Sequence, residues 1–184
     1  MKKNIGSKLA LYPTPVTVIG AMNGEEPTWT MVAHVGIIGH DRILVSLVSS
    51  HFINGFINES KKLSVNLVDE NILPQADYSG SVSGAKEDKS ELFPYEMGEG
   101  GTPVISNSPL TMECTVVDVY ETKGFESFIC VIDATYVDEG YLDENNDIDY
   151  GKLKPVLFEF PTYKYLKTGD VLGKCLSFKS KPGR

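Results

Sequence analysis

The chain has 184 residues, 41% of them hydrophobic, which is enough to bury one sizeable core without the help of disulfides. Its formal net charge of −8 repels the phosphate backbone of nucleic acids, which excludes nucleic acid as an expected partner. No apolar run follows the basic N-terminus or approaches the length of about 20 residues that spans a membrane, so we expect neither a secretory signal nor a membrane protein. An odd number of cysteines in apolar segments predicts buried, reduced thiols at Cys114, Cys130 and Cys175. These features together predict a cytoplasmic protein.

Three β-strands are predicted in the first part of the chain. Residues 16–22 and 28–38 are rich in β-branched and apolar residues, and Asn23 and Gly24 between them are a hairpin signal. Residues 43–48 carry no charge and are typical of a strand that is buried on both faces. The pattern predicts a hairpin followed by a third strand, as in a closed barrel.

A helix is predicted from His51 onwards. Apolar residues recur there at the spacing of one helix face: Phe52, Ile53, Phe56 and Ile57. Ser49 and Ser50 precede them as natural N-caps. The start of a helix offers unpaired N–H groups and a positive partial charge, so this turn could bind a phosphate. The pattern is equally explained by Ser50 capping the helix and His51 lying at the surface, and spacing alone leaves both interpretations open.

The rest of the chain is predicted to be mainly β. A polar stretch with short helical pieces ends at Phe93, a loop is expected at residues 98–109, and residues 122–124 are a second hairpin turn. The predicted strands of this part lie at residues 63–68, 110–121, 125–138, 155–160 and 163–166. With few helical segments, we expect a predominantly β domain.

No metal site is expected. Residues 143–150 have the alternating acidic residues of a calcium loop, but its sixth position is Ile148 instead of glycine and its twelfth is Lys154 instead of glutamate. This segment is therefore predicted to be a solvated loop. The histidines do not form a close pair, and the cysteines do not join them at a spacing typical of zinc: His34, His40 and His51.

An ordered series of short motifs runs through the chain. In the first half these are Pro15-Val16-Thr17-Val18-Ile19, Thr28 to His34, Ile43 to Val48, Ser49-Ser50-His51-Phe52 and Ser64-Val65-Asn66-Leu67. In the second half they are Ser83-Gly84, Asp88 to Phe93, Pro109 to Cys114, Tyr165 to Gly169 and Leu172-Gly173. In order and spacing the series resembles the flavin reductase-like family. The resemblance covers about residues 12–175 and implies one domain, 1–184, with a mainly β, Greek-key-like FMN-binding split β-barrel and a few short helices.

The resemblance also implies a homodimer that binds FMN at the interface between its two copies. The residues implied along the flavin ring and the ribityl chain are Trp29, Thr30, Met31, Val32, Ala33 and His34. Those implied at the phosphate are Ser49, Ser50, His51 and Phe52. Lys89 would supply a cation near the cofactor.

Three positions leave the implied contacts open. The family often has Asn where this chain has Thr28, and Thr where it has Phe52. His34 stands where many relatives carry a large residue beside the flavin, so it either stacks there or fills core space. Trp29, the one tryptophan, is expected to anchor a core or an interface, and it could also pack beside the flavin.

The function implied by the resemblance is that of an FMN-dependent oxidoreductase, in which NAD(P)H passes a hydride to the flavin. A second hypothesis is a flavoredoxin-like electron carrier, whose acidic surface would suit a basic patch on a redox protein partner. A third is a dimeric binding protein without redox activity. The sequence does not separate NADH from NADPH and does not identify the electron acceptor.

Overall fold

The structure is a computed structural model that describes residues 1–176. Within them, the strands are β1 (Thr14–Pro15), β2 (Thr17–Asn23), β3 (Glu26–Val32), β4 (Val35–Ile37), β5 (Arg42–Val48), β6 (Lys62–Leu67), β7 (Tyr95–Met97), β8 (Pro103–Ile105), β9 (Leu110–Thr122), β10 (Phe125–Val137), β11 (Leu157–Glu159) and β12 (Lys164–Leu166). The α-helices are α1 (Ile53–Ser60) and α2 (Leu73–Ser81). In this part of the chain no helix is both long and apolar enough to cross a membrane.

The main sheet has seven antiparallel strands in the order β3-β2-β6-β9-β10-β5-β4. Its strands enclose a core that includes Ile19, Val45 and Phe128, each 0% exposed. The short helix α1 closes one side of this core with Ile53 and Ile57. This curled sheet confirms the prediction of a mainly β split barrel with a few short helices. β3 and β4 remain as its edge strands.

A second apolar cluster lies on the other face of β2 and β3. It joins Val18 and Trp29 of these strands to Ile72 and Ala76 at helix α2 and to Phe93. The small sheet β1-β11-β12 adds Phe158 and Tyr165 at its border. Because apolar clusters cover both of their faces, β2 and β3 are nearly continuous buried runs.

Two of the predicted strands differ from the structure. Residues 28–38 are not one strand, because β3 pairs with β2 whereas β4 pairs with β5, and the chain crosses between them at Ala33 and His34. The strand at 43–48 is not buried on both faces. Its buried positions alternate with half-buried ones, so only one face points into the core.

The predicted N-caps of the helix are wrong. Helix α1 begins at Ile53, and the residue before it, Phe52, already has helical φ and ψ angles and makes no side-chain cap. Ser49 instead donates its N–H to Gly124 O in the β9–β10 turn at 3.0 Å. The apolar helix face is confirmed for Ile53 and Ile57, which are buried, and for Phe56, which is half-buried. The fourth predicted residue, Phe52, precedes the helix and is 36% exposed.

The other turns follow the predictions with local differences. The predicted loop at 98–109 contains β8, the second strand of the β7–β8 hairpin. The hairpin turn at 122–124 is confirmed, with Gly124 at φ +85°. The loop at 143–150 is largely exposed, and the Asp143 carboxylate accepts hydrogen bonds from the N–H groups of two later residues in the loop. The predicted domain also includes residues 177–184, which lie outside the described part.

The cysteine prediction holds at two of three positions. Cys114 and Cys130 are fully buried, and burial raises the pKa of both thiols, that of Cys130 to about 12. Cys175 is exposed, so its predicted burial is wrong. It lies in the stretch 167–176 after β12, whose residues are all exposed.

The β7–β8 loop is held by one buried carboxylate. Glu113 on β9 is 1% exposed and accepts hydrogen bonds from Gly100 N, from Thr102 N and Oγ1, and from Tyr136 Oη at 2.7 to 3.1 Å. A side chain at Gly98 would overlap this carboxylate. Glu113, which belongs to one of the motifs, thus has a structural role.

Candidate functional site

A cavity of about 290 Å³ lies between the free edge of β3, the start of α1 and the segment that follows α2. Its lining residues are Thr28, Trp29, Thr30, Ser50, His51, Phe52, Ile53, Gly80, Ser81, Val82, Ser83, Gly84 and Lys89. The three segments are far apart in sequence and meet because β3 packs against α2 and lies beside α1.

The edge of β3 presents backbone groups to this space. Trp29 O accepts a hydrogen bond from Lys89 Nζ at 3.1 Å, so this carbonyl points away from β2. In an antiparallel pair, the backbone N–H and C=O groups of successive residues point alternately toward and away from the partner strand. Met31 therefore presents its N–H and C=O on the same side as Trp29 O, away from β2. The strand can offer both a donor and an acceptor to a planar polar group lying along it.

Lys89 is the buried cation of the site. It is only 5% exposed, and its ammonium donates to Trp29 O and, at 2.6 Å, to Ser79 O. An ammonium has three N–H donors, so one is left for another acceptor. None of the ion pairs among the described residues includes Lys89, and burial lowers its pKa. A buried cation without a counter-ion favours an anionic ligand.

The start of α1 adds a second attraction for an anion. In the described structure the N–H groups of Ser50, Phe52 and Ile53 have no protein acceptor. His51 is half-buried beside them, and its pKa is lowered first by burial and then by the charge of Lys89. Lys89, His51 and a helix N-terminus therefore converge in a cavity whose described lining contains no carboxylate.

Small residues let the third segment approach. A Cβ at Gly80 would lie 2.9 Å from Met31 Cβ, and one at Gly84 would lie 2.8 Å from Phe52 Cδ1 and 3.2 Å from Thr28 Oγ1. Larger residues would push the segment off β3 and α1 and open the cavity. The exposed hydroxyl groups of Ser81 and Ser83 lie at its rim.

The structure brings together six of the eleven predicted site residues: Trp29, Thr30, Ser50, His51, Phe52 and Lys89. Ser49 and Val32 do not line the cavity, and Val32 is buried in the barrel core. Met31 lies next to it, against Gly80, and accepts a contact from Tyr165 Oη at 3.4 Å.

The two remaining predicted residues, Ala33 and His34, line a second cavity of about 350 Å³ further along the chain from β3. His34 Nε2 lies 3.2 Å from Tyr12 Oη, and the edge of its ring faces Phe125 at 6.0 Å between centroids. His34 belongs to neither buried cluster, so it does not fill core space. At roughly 3.3 Å per residue, His34 is on the order of 13 Å along the chain from Thr30.

The sequence predicts no place at the site for several lining residues: Thr28, Ile53 and the segment 80–84. Thr28 is a departure from the family pattern, and Ser83-Gly84 is one of the motifs. A run of glycine and serine after a helix was the available signal, because it allows close approach and supplies hydroxyl groups.

These groups fit a flavin nucleotide. The ammonium of Lys89, the imidazole of His51 and the unpaired N–H groups of α1 are donors of the kind that a phosphate accepts from. The free edge of β3 leads from them to the aromatic cavity at His34. A ligand with a phosphate at one end and a planar ring at the other matches this order of surfaces.

The chain is similar in sequence and in fold to known proteins. Residues 9–167 match the family model described as a flavin reductase like domain. The structure is similar to that of flavoredoxin from Methanosarcina acetivorans, with 32% identity, coverage of 96% of each chain and a TM-score of 0.91. It is also similar to flavoredoxin of Desulfovibrio vulgaris (Miyazaki F), with 28% identity, coverage of 98% of this chain and 100% of the other, and a TM-score of 0.88.

A more distant similarity extends to an FMN-binding protein from Thermus thermophilus. The two chains are 18% identical, with coverage of 95% of this chain and 100% of the other and a TM-score of 0.81, which shows a shared fold. No curated protein matches the sequence.

Proposed function

The chain belongs to the flavin reductase-like family, and from this premise we propose that it binds FMN along β3 and acts as an NAD(P)H-dependent FMN oxidoreductase. The observation that carries the proposal is Lys89, a buried ammonium with no carboxylate partner among the described residues, in a cavity at a helix N-terminus. When bound, FMN supplies the redox chemistry, accepting a hydride from a reduced nicotinamide.

The protein's own groups bind and orient the cofactor. Lys89, His51 and the N–H groups at the start of α1 hold the phosphate, and the outward-facing backbone of β3 bonds to the polar edge of the ring. The half-buried aromatic side chains of Tyr12 and Phe125 beside His34 exclude water from the ring end. No side chain has to donate or remove a proton for hydride transfer, so the site needs no acid–base pair.

The proposal includes a homodimer. β4 is an edge strand, and Ile37 at its end is 87% exposed, with Ile38 beside it 50% exposed. An exposed apolar edge strand is a surface that proteins normally cover. Sedimentation velocity on the purified protein checks this part, and a monomer at micromolar concentration would contradict it.

A second candidate is an electron carrier that exchanges electrons with a protein partner and does not oxidise NAD(P)H. The similarity to two flavoredoxins favours it, and the net charge of −8 suits a basic partner surface. Anaerobic addition of NADH or NADPH to the FMN-loaded protein separates the candidates. Prompt bleaching of the flavin absorption supports the oxidoreductase, whereas flavin that stays oxidised supports the carrier. A protein that takes up no FMN contradicts both.

We expect Ser50→Asp to weaken FMN binding by roughly tenfold, because a negative charge at the helix N-terminus competes with the phosphate. Ser50 is exposed at the cavity, so the folded structure tolerates the change. Titration of FMN fluorescence measures the dissociation constant. Ser60→Asp, at the other end of the same helix, is the matched control and leaves the affinity unchanged. Equal affinity for the Ser50 variant and the wild type would place the phosphate elsewhere.

We expect FMN binding to take up a fraction of a proton at pH 7. The lowered pKa of His51 leaves its imidazole neutral in the free protein, and a phosphate dianion raises that pKa again. Affinity therefore increases as the pH falls from about 8 toward the phosphate pKa of about 6. Calorimetry at pH 7 in two buffers of different ionisation enthalpy measures the uptake. It should vanish for His51→Gln and for riboflavin, which lacks the phosphate; uptake that persists in the variant would assign the proton to another group.

A further inference from the structure

Phe52 is fixed in place at the mouth of the β3–α1 cavity. Its ring lies 4.9 Å from that of Phe56, in an edge-to-face arrangement with an interplanar angle of 75°. Its Cδ1 lies so close to Gly84 that a Cβ there would be at 2.8 Å. Contacts from α1 on one side and from the 80–84 segment on the other therefore hold the ring, although it is 36% exposed.

The ring stands directly beside the anion-binding groups. Phe52 follows His51, and the N–H of Phe52 is itself one of the unpaired donors at the start of α1. Thr28 lies across the cavity from α1, and its Oγ1 would be 3.2 Å from a Cβ placed on Gly84. Phe52, Gly84 and Thr28 thus close the gap between α1 and β3 on the side of the phosphate-binding groups.

FMN and FAD differ at this end of the molecule. The phosphate of FMN is terminal and carries nearly two negative charges at pH 7. In FAD the same phosphate is bonded to a second phosphate and an adenosine, so the chain must continue past it and each phosphate carries a single charge. A cavity with Lys89 and His51 and without a neutralising carboxylate favours the doubly charged, terminal group.

On the premise of the proposed FMN site, we propose that Phe52 is a specificity-determining residue that admits the mononucleotide and rejects the dinucleotide. The ring occupies the space that the adenosine half of a bound FAD would need beyond the phosphate site. Its contacts with Phe56 and Gly84 keep it from rotating away without loss of packing.

The test is equilibrium binding of FMN, FAD and riboflavin to the wild type, to Phe52→Ala and to Tyr150→Ala. Tyr150 is an exposed aromatic residue, at 69%, in the 143–150 loop, and it lines neither this cavity nor the one at His34, so it is the control. We expect the wild type to bind FMN at least about thirtyfold more tightly than FAD, and Phe52→Ala to reduce this ratio by about tenfold through tighter FAD binding. Circular dichroism and the melting temperature establish that each variant is folded.

The outcomes separate this inference from the proposed function. A wild type that binds FMN and FAD equally, or a ratio that Phe52→Ala leaves unchanged, overturns the role of Phe52 while the FMN site stands. A wild type that binds none of the three flavins overturns the FMN site and this inference with it. A ratio that changes equally in Tyr150→Ala also overturns it, because the effect would then not come from the cavity. Phe52→Leu, which keeps an apolar side chain of smaller reach, should give an intermediate ratio.

Discussion

Replacing Lys89 by methionine is expected to weaken FMN binding by roughly 30- to 150-fold, which corresponds to about 2–3 kcal/mol. Its ammonium is the buried cation of the cavity, already oriented by Trp29 O and Ser79 O and with one N–H donor left. A charge-assisted bond to phosphate from a buried, oriented donor is worth more than one from a mobile surface lysine. Fluorescence titration with FMN measures the loss.

The matched control is Lys86→Met, three positions earlier on an exposed side chain. It removes the same charge from the chain and is expected to change the affinity by less than about twofold. Riboflavin distinguishes a phosphate contact from a general disturbance of the site, because its affinity should be nearly equal in wild type and Lys89→Met. A variant that binds FMN as tightly as the wild type would remove the main support for the proposed function.

Stability is expected to respond much less to Lys89→Met than FMN binding does. Burial lowers the pKa of this ammonium, which means that the folded protein holds its charge at a cost that methionine removes. Methionine also leaves the carbonyls of Trp29 and Ser79 without their donor, which acts in the opposite direction. The melting temperature of the flavin-free variant checks that the two effects largely offset each other.

The second large effect is expected on stability, at Glu113. Glu113→Ala should lower the free energy of unfolding by about 3–5 kcal/mol, because it leaves a cavity and removes the acceptor of four N–H and hydroxyl groups on buried or half-buried residues. Gly100, Thr102 and Tyr136 would lose a shared partner at once. Urea denaturation followed by circular dichroism measures the change.

Glu121→Ala is the matched control, since Glu121 is an exposed glutamate on the same strand, β9. It is expected to change the free energy of unfolding by no more than about 0.5 kcal/mol. A similarly small change in Glu113→Ala would mean that the β7–β8 loop does not depend on the carboxylate.

The contribution of Glu113 should also depend on pH. Burial raises the pKa of this carboxyl, but the hydrogen bonds from Tyr136, Gly100 and Thr102 outweigh burial, so the net shift is downward. A carboxyl with a lowered folded pKa stabilises the protein above its unfolded pKa of about 4.3, and this stabilisation is lost as the pH falls through the folded value. The difference in the free energy of unfolding between wild type and Glu113→Ala is therefore expected to be constant near neutral pH and to become smaller in acid.

Much of the fold could be predicted because its signals are local. Asn23 and Gly24 mark the first hairpin, and Lys123 and Gly124 lie in the turn of the second, where Gly124 adopts the positive φ that glycine allows. The errors occur where a distant partner decides. The strand at 28–38 breaks because its two halves pair with different strands, and no property of residues 33 and 34 alone records that.

The candidate site was partly predictable for the same reason. The turn at 49–52 before α1 could be found from the change of hydrophobic period, and Lys89 from the motif that contains it. The burial of Lys89 could not, because it depends on Trp29, 60 positions earlier. The position of Ser49 outside the cavity was equally hidden, since its N–H bonds to Gly124 of the β9–β10 turn.

The sequence by itself determined that this protein is a mainly β domain of the flavin reductase-like family. It also indicated a turn before a helix as a possible anion site. Turn residues, hydrophobic periods and an ordered series of motifs are properties of neighbouring residues, so they can be seen in the chain. Only the tertiary structure decided which of the predicted residues share a cavity and that Lys89 is buried there with no counter-ion among residues 1–176. Burial and electrostatic pairing depend on segments that meet through folding, and the charge of a residue in the sequence does not show whether water or another group will neutralise it.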